Sequence, residues 1–449
     1  MRYSIGFPLG DTYYRRRPKV TLGLIIANVI IYLITSYSNF FIEIDDYWVN
    51  AGAFVPALLE DPTQWYRIFT SMFMHGDIFH IFFNMYFLYI FGRAAEDVLG
   101  GPRYLTLYLT SGVAASLFHV AFSFLGGLTS YVIPAIGASG AISGVLGAYL
   151  IFYPGTSLTA CWIFFIFPAC FSLRASLYLI FWFVTQVLYG FARISGGVAV
   201  FAHAGGFLAG MALLPLLVDR ERLRELKFVE YVRSLPYLIL TYPKVRGLSR
   251  FSKTVLSIVI ISVIVGGAYV LTALPRMGVV KVMNVQYTYM ETPYRDYAAI
   301  QLPDVQSFIA DIPLSSTRIL LSRLNAAGLL YDPGKAGTSL SLSDRSFPIR
   351  VLAGNRWRDL SMTVEYFGGS YDEEGFLKHG EGSMVTQVVV IQGNLVSVID
   401  GVKYTFTIDT QTVSPNDVSQ YAGMASLAFA VGALMVVVGR DKELALVGE

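Results

Sequence analysis

Long apolar runs separated by short charged segments fill the first 275 residues and return near the end of the chain. A helix that crosses a bilayer needs about 20 mostly apolar residues. Eight stretches read as spans: about Val20–Tyr37, Phe69–Phe91, Tyr104–Leu125, Gly137–Tyr153, Leu173–Phe191, Val198–Val218, Val255–Leu274 and Ala422–Val438. The second is interrupted by His75, Asp77, His80 and Asn84, and a shorter apolar stretch, Leu158–Cys170, broken by Pro168, precedes the fifth. Residues 276–420 are polar enough to be soluble and carry strand-like runs, Met384–Ile391 and Asn394–Ile399, rich in Val and Ile. Gln392-Gly393 reads as a tight hairpin turn and Asp400-Gly401 as a second turn into Lys403–Ile408. Ser315–Ala327, set between Pro313 and Gly328, reads as a helix. The expected fold class is an all-α polytopic membrane protein: a six-helix core plus two extra transmembrane helices flanking a β-rich soluble domain. The expected divisions are a core at 1–218, a basic linker at 219–253, a seventh helix at 254–275, the β-rich domain at 276–420, an eighth helix at 421–439 and a tail at 440–449.

Composition agrees. Of the 449 residues, 55% are hydrophobic and only 14% charged, with a mean hydropathy of +0.55, against roughly a quarter charged in soluble chains. The net charge of +2 gives no reason to expect a nucleic-acid partner. Cys161 and Cys170 are too few for a disulfide framework and lack zinc-ligand spacing. The N-terminus lacks a short cleavable apolar core, so the first span reads as retained.

Basic residues in short loops set the orientation. Arg15, Arg16, Arg17 and Lys19 precede the first span, and 219–253 carries nine Arg and Lys residues from Arg220 to Lys253. Eight spans put both segments, and the end of the chain with Arg440 and Lys442, in the cytoplasm. The loop with Glu43, Asp45, Asp46, Glu60 and Asp61, and the domain at 276–420, then lie outside. The basic segment reads equally as a solvated linker or as a strip along anionic lipid.

Polar residues inside a bilayer are expensive and so are candidates for function. Gly137-Ala138-Ser139-Gly140 opens the fourth span, and Gly140, Gly144 and Gly147 let a neighbouring helix approach closely. Ala202-His203-Ala204-Gly205-Gly206, with Gly210, does the same in the sixth. Both spans run from outside inward, so Ser139 and His203 lie at matched depth, where a histidine can take the proton of a serine nucleophile. His80 and Asn84 share a face of the second span. Both can donate hydrogen bonds, as an oxyanion hole requires, or serve an interhelical network. A zinc site is disfavoured because there is no His-Glu-x-x-His and His75 does not share the His80 face. Trp65-Tyr66-Arg67 and Gly92-x3-Glu96-x3-Gly100 read as caps, anchors and loop-fixing hydrogen bonds. His119 and His379 have no evident partner and read as structural.

Together these pieces, with His75-x4-His80-x3-Asn84 and Ala202-His203-x-x-Gly206-x3-Gly210, resemble the rhomboid family of intramembrane serine proteases over about residues 15–218. The resemblance implies a Ser139–His203 dyad without a third carboxylate, His80 and Asn84 as oxyanion-stabilising side chains, and Gly137 as the glycine beside the nucleophile. It implies no cofactor and no metal, cleavage of transmembrane segments near their outer ends, and substrate access by the second and fifth spans. Many members carry Phe or Tyr four residues after the nucleophile, packed on the catalytic histidine. Here that position is Ser143, leaving Phe201 or Tyr149 to compensate, or Ser143 itself to hydrogen-bond the imidazole.

The leading expectation is therefore an intramembrane serine endopeptidase whose partners are transmembrane protein substrates and the lipid bilayer. The alternatives are a catalytically inactive rhomboid-like client-binding protein, or a transporter. The domain at 276–420 would serve as an accessory, recruiting substrates or contacting a protein partner.

Overall fold

The computed structural model describes residues 9–10, 17–123, 125, 128–164, 167–192, 199–234, 247–273, 280–353, 356–392, 395–413 and 418–449. The chain divides into two compact units. One comprises residues 1–126, 134–275 and 416–449; the other comprises 276–415 together with 127–133.

The first unit is a helical membrane protein. Its apolar helices are α1 (Lys19–Thr35), α2 (Ile78–Leu99), α3 (Gly101–Ser123), α4 (Ser139–Phe152), α5 (Ala175–Ala192), α6 (Val200–Leu217), α7 (Arg250–Ala273) and α8 (Val418–Leu444). Six of them are long and apolar enough to cross a membrane, while α1 and α4 are shorter apolar helices. These eight lie on the eight stretches expected from the hydropathy pattern.

The second span differs at its start. Asp77 caps α2 by accepting from the amides of Phe79 and His80, so the helix begins at Ile78 and not near Phe69. His75 falls in the preceding loop, after short turns at Arg67–Thr70 and Ser71–Phe73. The apolar stretch before the fifth span is a β-hairpin, β1 (Ser157–Phe164) and β2 (Phe167–Arg174), with Pro168 opposite Ile163. Its Ile, Phe and Trp content carried no period to distinguish it from a short buried helix. The segment read as a basic linker contains a helix, Arg220–Ser234, tied back by Arg222 to Asp97 at 3.0 Å.

Helix α4 is the centre of the unit: every residue from Ala141 to Phe152 is buried. It packs on α3 through the small side chains of Ser111 and Ala115, and on α6 almost backbone to backbone. A Cβ on Gly206 would lie 2.0 Å from the Gly140 carbonyl oxygen, one on Gly210 1.9 Å from that of Gly144, and one on Gly147 2.2 Å from that of Phe207. In lipid such close packing, rather than a hydrophobic drive, holds helices together. Glu96 caps α1 from 76 residues away, accepting from the amides of Val20 and Thr21 and from the Thr21 hydroxyl. Arg67 donates to the carbonyls of Asn50 and Ala53, and Trp65 to that of Leu59, fixing the loop before α2. Past α8 the chain docks on the end of α4, where Leu446 donates to Phe152 and Gly155 to Val447.

The second unit is an antiparallel sheet of six strands: β3 (Val280–Tyr289), β4 (Thr292–Gln301), β5 (Ser339–Ala353), β6 (Arg356–Tyr371), β7 (Leu377–Gln392) and β8 (Leu395–Val413), in the order β4-β3-β8-β7-β6-β5. The helix Ser315–Ala326 lies where it was expected and buries Leu320, Leu321 and Leu324 in the core beside Met283, Phe367 and Tyr404. The turn expected at Gln392-Gly393 involves Gly393, which lies outside the described residues. Asp400-Gly401 is not a hairpin turn. The pairing steps from Thr386–Val402 to Val388–Ile399, two residues against one, and Gly401 takes φ +74°. This is a bulge inside one long strand, where glycine meets the left-handed requirement. His379, which had no evident partner in the sequence, pairs with Asp409 across β7 and β8 at 2.7 Å.

Candidate active site

Ser139 is the first residue of α4, at the end where backbone amides lack intrahelical acceptors and the helix dipole is positive. The segment leading to it is fixed at two points: Ala135 and Phe54 exchange two backbone hydrogen bonds, and the Gly137 amide donates to the Ser71 carbonyl. Gly137 has φ +124°, a conformation that side chains disfavour.

His203 stands in the first turn of α6, and its Nε2 lies 2.8 Å from Ser139 Oγ. The glycine seam explains the reach, since carbonyl oxygens of α4 sit almost against the α-carbons of α6. On the far side of the ring, Nδ1 lies 2.9 Å from Oε1 of Gln186 on α5. The Trp182 ring, one turn before Gln186, stands 6.0 Å from the imidazole at 34°. Neither α5 residue was singled out from the sequence. An amide within an apolar helix was a signal in plain view, by the same expense of burying polar groups that drew attention to His203.

The ring support expected from Phe201 or Tyr149 is not what the structure provides. Phe201 stacks on Phe122 at 4.4 Å and meets Phe191, while Tyr149 packs against Phe91 and Tyr153. Ser143 does not bond the imidazole either: its hydroxyl donates to the Ser139 carbonyl at 2.6 Å, a common habit of serine within helices.

His80 Nδ1 accepts from the Gly76 amide at 3.3 Å, which leaves the ring hydrogen of the neutral imidazole on Nε2. A Cβ at Gly137 would be 2.7 Å from that Nε2 and 3.6 Å from Ser139 Oγ. The space glycine leaves open is thus bounded by a nitrogen donor on one side and the serine oxygen on the other. Asn84 is buried and donates to the His80 carbonyl at 3.0 Å, so it sits beneath His80 on the same helix face. His75 is fully buried, its Nε2 accepting from the Ala138 amide at 3.5 Å and its ring 5.1 Å from that of His80.

Behind Ser139 and His203 is a cavity of about 50 Å³ whose polar lining is Ser71, Ser116, His119, Ser139 and His203. It is large and polar enough to hold water. His119, read as a structural residue from sequence, is one wall of it. Among the described residues no cluster of His, Cys, Asp or Glu could hold a metal ion. The arrangement can therefore transfer a proton from a serine to a histidine, hold that histidine from behind, and offer N–H donors beside the serine.

Residues 62–220 match the rhomboid domain. The chain is 27% identical over 223 residues to the mitochondrial rhomboid protein 1 of Saccharomyces cerevisiae, covering 48% of this chain and 59% of that protein. It is 38% identical over 87 residues to the rhomboid protease GluP of Bacillus subtilis, covering 19% and 16%. It is also 31% identical over 170 residues to the inactive RHOMBOID-like protein 8 of Arabidopsis thaliana, covering 38% and 43%. The chain thus spans less than two thirds of the length of each of these relatives.

Proposed function

From the premise that this chain belongs to the rhomboid family through its domain at residues 62–220, we propose that it is an intramembrane serine endopeptidase acting on transmembrane segments of other proteins. The observation that carries this reading is the 2.8 Å approach of His203 Nε2 to Ser139 Oγ. As Ser139 Oγ bonds to the scissile carbonyl carbon, its proton passes to His203 Nε2 and the carbonyl electron pair moves onto oxygen. In this reading the first-turn amides of α4 and His80 Nε2–H donate to that oxyanion; the 2.7 Å between His80 Nε2 and a Cβ at Gly137 supports it, and preorganised donors of this kind supply much of the stabilisation in acyl transfer. Collapse of the intermediate breaks the C–N bond, and His203 gives its proton to the leaving amine. Water then attacks the acyl carbon while His203 accepts its proton; collapse of this second intermediate breaks the Ser139 Oγ–C bond, His203 returns the proton to Oγ, and the carboxylic acid product leaves. No step requires a cofactor.

A substrate must present an unfolded carbonyl at Ser139, and backbone without helical hydrogen bonds is tolerated at membrane depth only where protein or water satisfies it. Locally unstable helices are therefore the favoured substrates. The distribution of basic residues in the loops supports an orientation with the active-site end of α4 and residues 276–415 outside the cytoplasm, where the soluble unit would act as an accessory in substrate recruitment.

The test uses the full chain in liposomes with a transmembrane reporter. Wild type is expected to cleave it and to be labelled by a serine-directed fluorophosphonate; Ser139→Ala is expected to do neither while keeping its melting temperature. Cleavage undiminished in Ser139→Ala would overturn the reading. Binding of the reporter without cleavage or labelling would place the chain with the inactive members of the family.

A further inference from the structure

We infer that Gln186 is a third, positioning member of the site: by accepting from His203 Nδ1–H it holds the imidazole in the one neutral tautomer whose Nε2 can take the Ser139 proton. The inference rests on the proteolytic reading above and deepens it. The three residues come from three helices, with Ser139 on α4, Gln186 on α5 and His203 on α6, and the two hydrogen bonds to the ring measure 2.8 and 2.9 Å.

A neutral imidazole carries one hydrogen, and its two tautomers have opposite consequences here. With the hydrogen on Nδ1, Nε2 is a lone pair facing the serine O–H, as a general base requires. With the hydrogen on Nε2, the ring donates to Ser139 Oγ and cannot deprotonate it. An acceptor at Nδ1 selects the first state. In triads of this kind, an orienting residue that selects the wrong tautomer forfeits most of the rate.

The surroundings of His203 make Gln186 decisive. Ser143, on the face of α4 next to the ring, has spent its hydroxyl on the Ser139 carbonyl. The titratable groups that face the ring are His80 from α2 and His119 from α3. Helix α4 contributes Ser139, α5 contributes Trp182 and Gln186, and α8 brings no charged side chain before Arg440. Among the described residues no carboxylate faces the ring, so a neutral amide oxygen takes the place that an aspartate holds in other serine hydrolases. It orients the ring without drawing a proton onto it, which suits a base that must stay neutral until attack. Gln186 is half-buried and lies one turn from Trp182, so both side chains occupy the face of α5 that meets the imidazole.

The experiment compares Gln186→Leu and Gln186→Glu with wild type and Ser139→Ala in liposomes. It reads kcat and KM against pH, together with ¹⁵N spectra of histidine-labelled protein assigned with a His203→Phe variant. Leucine suits an apolar helix and removes only the acceptor. It is expected to lower kcat about tenfold to a hundredfold, the worth of one lost orienting hydrogen bond, with KM little changed and the melting temperature kept. Glutamate restores the acceptor and adds charge, so its rate is expected to recover while the acidic limb of the pH–rate profile moves to higher pH. In the spectra, wild-type His203 is expected to carry its hydrogen on Nδ1 and the leucine variant to shift towards Nε2. Wild-type kcat in the leucine variant, with an unchanged His203 spectrum, would overturn the inference. If leucine lowers the melting temperature, the glutamate profile and the spectra still decide. If Ser139→Ala cleaves as well as wild type, the proteolytic reading falls and the tautomer measurement alone judges Gln186.

Discussion

The sharpest consequence of the α4–α6 seam concerns a residue that touches neither Ser139 nor His203. Gly210 lies seven residues beyond His203, two turns along α6, and an added Cβ there would meet the Gly144 carbonyl oxygen at 1.9 Å and its α-carbon at 2.6 Å. Close carbon–oxygen contacts in proteins sit at about 3.3 Å, so the methyl of Gly210→Ala is roughly 1.4 Å too near. The obstacle is backbone on a fully buried helix, which cannot rotate aside as a side chain would. The two helices must separate, and the 2.8 Å Ser139–His203 approach stretches with them. Misplacing reacting groups by about 1 Å costs on the order of a hundredfold in rate, and overpacking of this kind destabilises by about 1–3 kcal/mol. Gly210→Ala is thus expected to reduce reporter cleavage about a hundredfold and to lower the melting temperature, with the Ser139 side chain untouched. Gly23→Ala on α1 is the control: a Cβ there meets nothing within 4 Å, and alanine favours helix by up to about 1 kcal/mol, so activity and stability should hold. Full activity in Gly210→Ala with an unchanged melting temperature would refute the claim that this contact sets the geometry of the site.

Ser143→Phe, which installs the ring common in the family, is expected to reduce activity rather than improve it. Ser143 is 1% exposed and its Cβ would stand 3.3 Å from a Cβ on Gly206, so a ring forces α4 from α6; a rate at or above wild type would sink this account. In the soluble unit, Lys281 is fully buried and reaches Asp372 at 2.6 Å, Thr412 at 2.7 Å and Glu374 at 3.0 Å. Lys281→Ala leaves Asp372 without its cation and is expected to destabilise that unit by about 3–5 kcal/mol, checked by hydrogen exchange of β3 and β8; wild-type protection there would count against it. Burial holds the Asp296 carboxyl above its ordinary 3.8, despite the Thr317 hydroxyl bonded to it. Below that value both folded and unfolded forms are protonated and no penalty exists. As pH rises through it the unfolded chain ionises first and the folded unit loses stability. Asp296→Asn should therefore gain in melting temperature over wild type at pH 7 and lose that gain near pH 4; the same difference at both pH values would exclude this cause.

Much of the architecture was legible because membrane helices announce themselves by length and by the absence of charge. The eight apolar stretches became eight helices. Failures came where that rule has no purchase. The hairpin Ser157–Arg174 is as apolar as a short helix, so composition alone could not separate them. The start of α2 was placed too early because Phe69, Met72 and Phe73 are apolar, while the deciding feature is the Asp77 side chain capping Phe79 and His80. Asp400-Gly401 has the composition of a hairpin turn, and only the pairing of Thr386 with Val402 and of Val388 with Ile399 makes it a bulge. Glu96 was read as a cap or anchor from its flanking glycines; that it caps α1 from 76 residues away is a fact of packing that no local pattern carries.

The candidate site was legible for the residues that glycines flank. Ser139, His203 and Gly137 each sit where backbone must approach closely, and small residues mark such places in any sequence, while His80 was marked by the helix face it shares with Asn84. Gln186 and Trp182 lie on α5, which approaches His203 through side chains and needs no glycine there. A search keyed to glycine seams passes over such a helix, whereas one keyed to the cost of a buried amide stops at it. The same contrast explains Ser143. Reading it as a missing ring asks what α4 fails to give the imidazole. With α4 held against α6 at Gly140 and Gly144, there is no space for a ring from that side. Support for His203 has to arrive from α5, and a long side chain ending in an acceptor is what α5 presents.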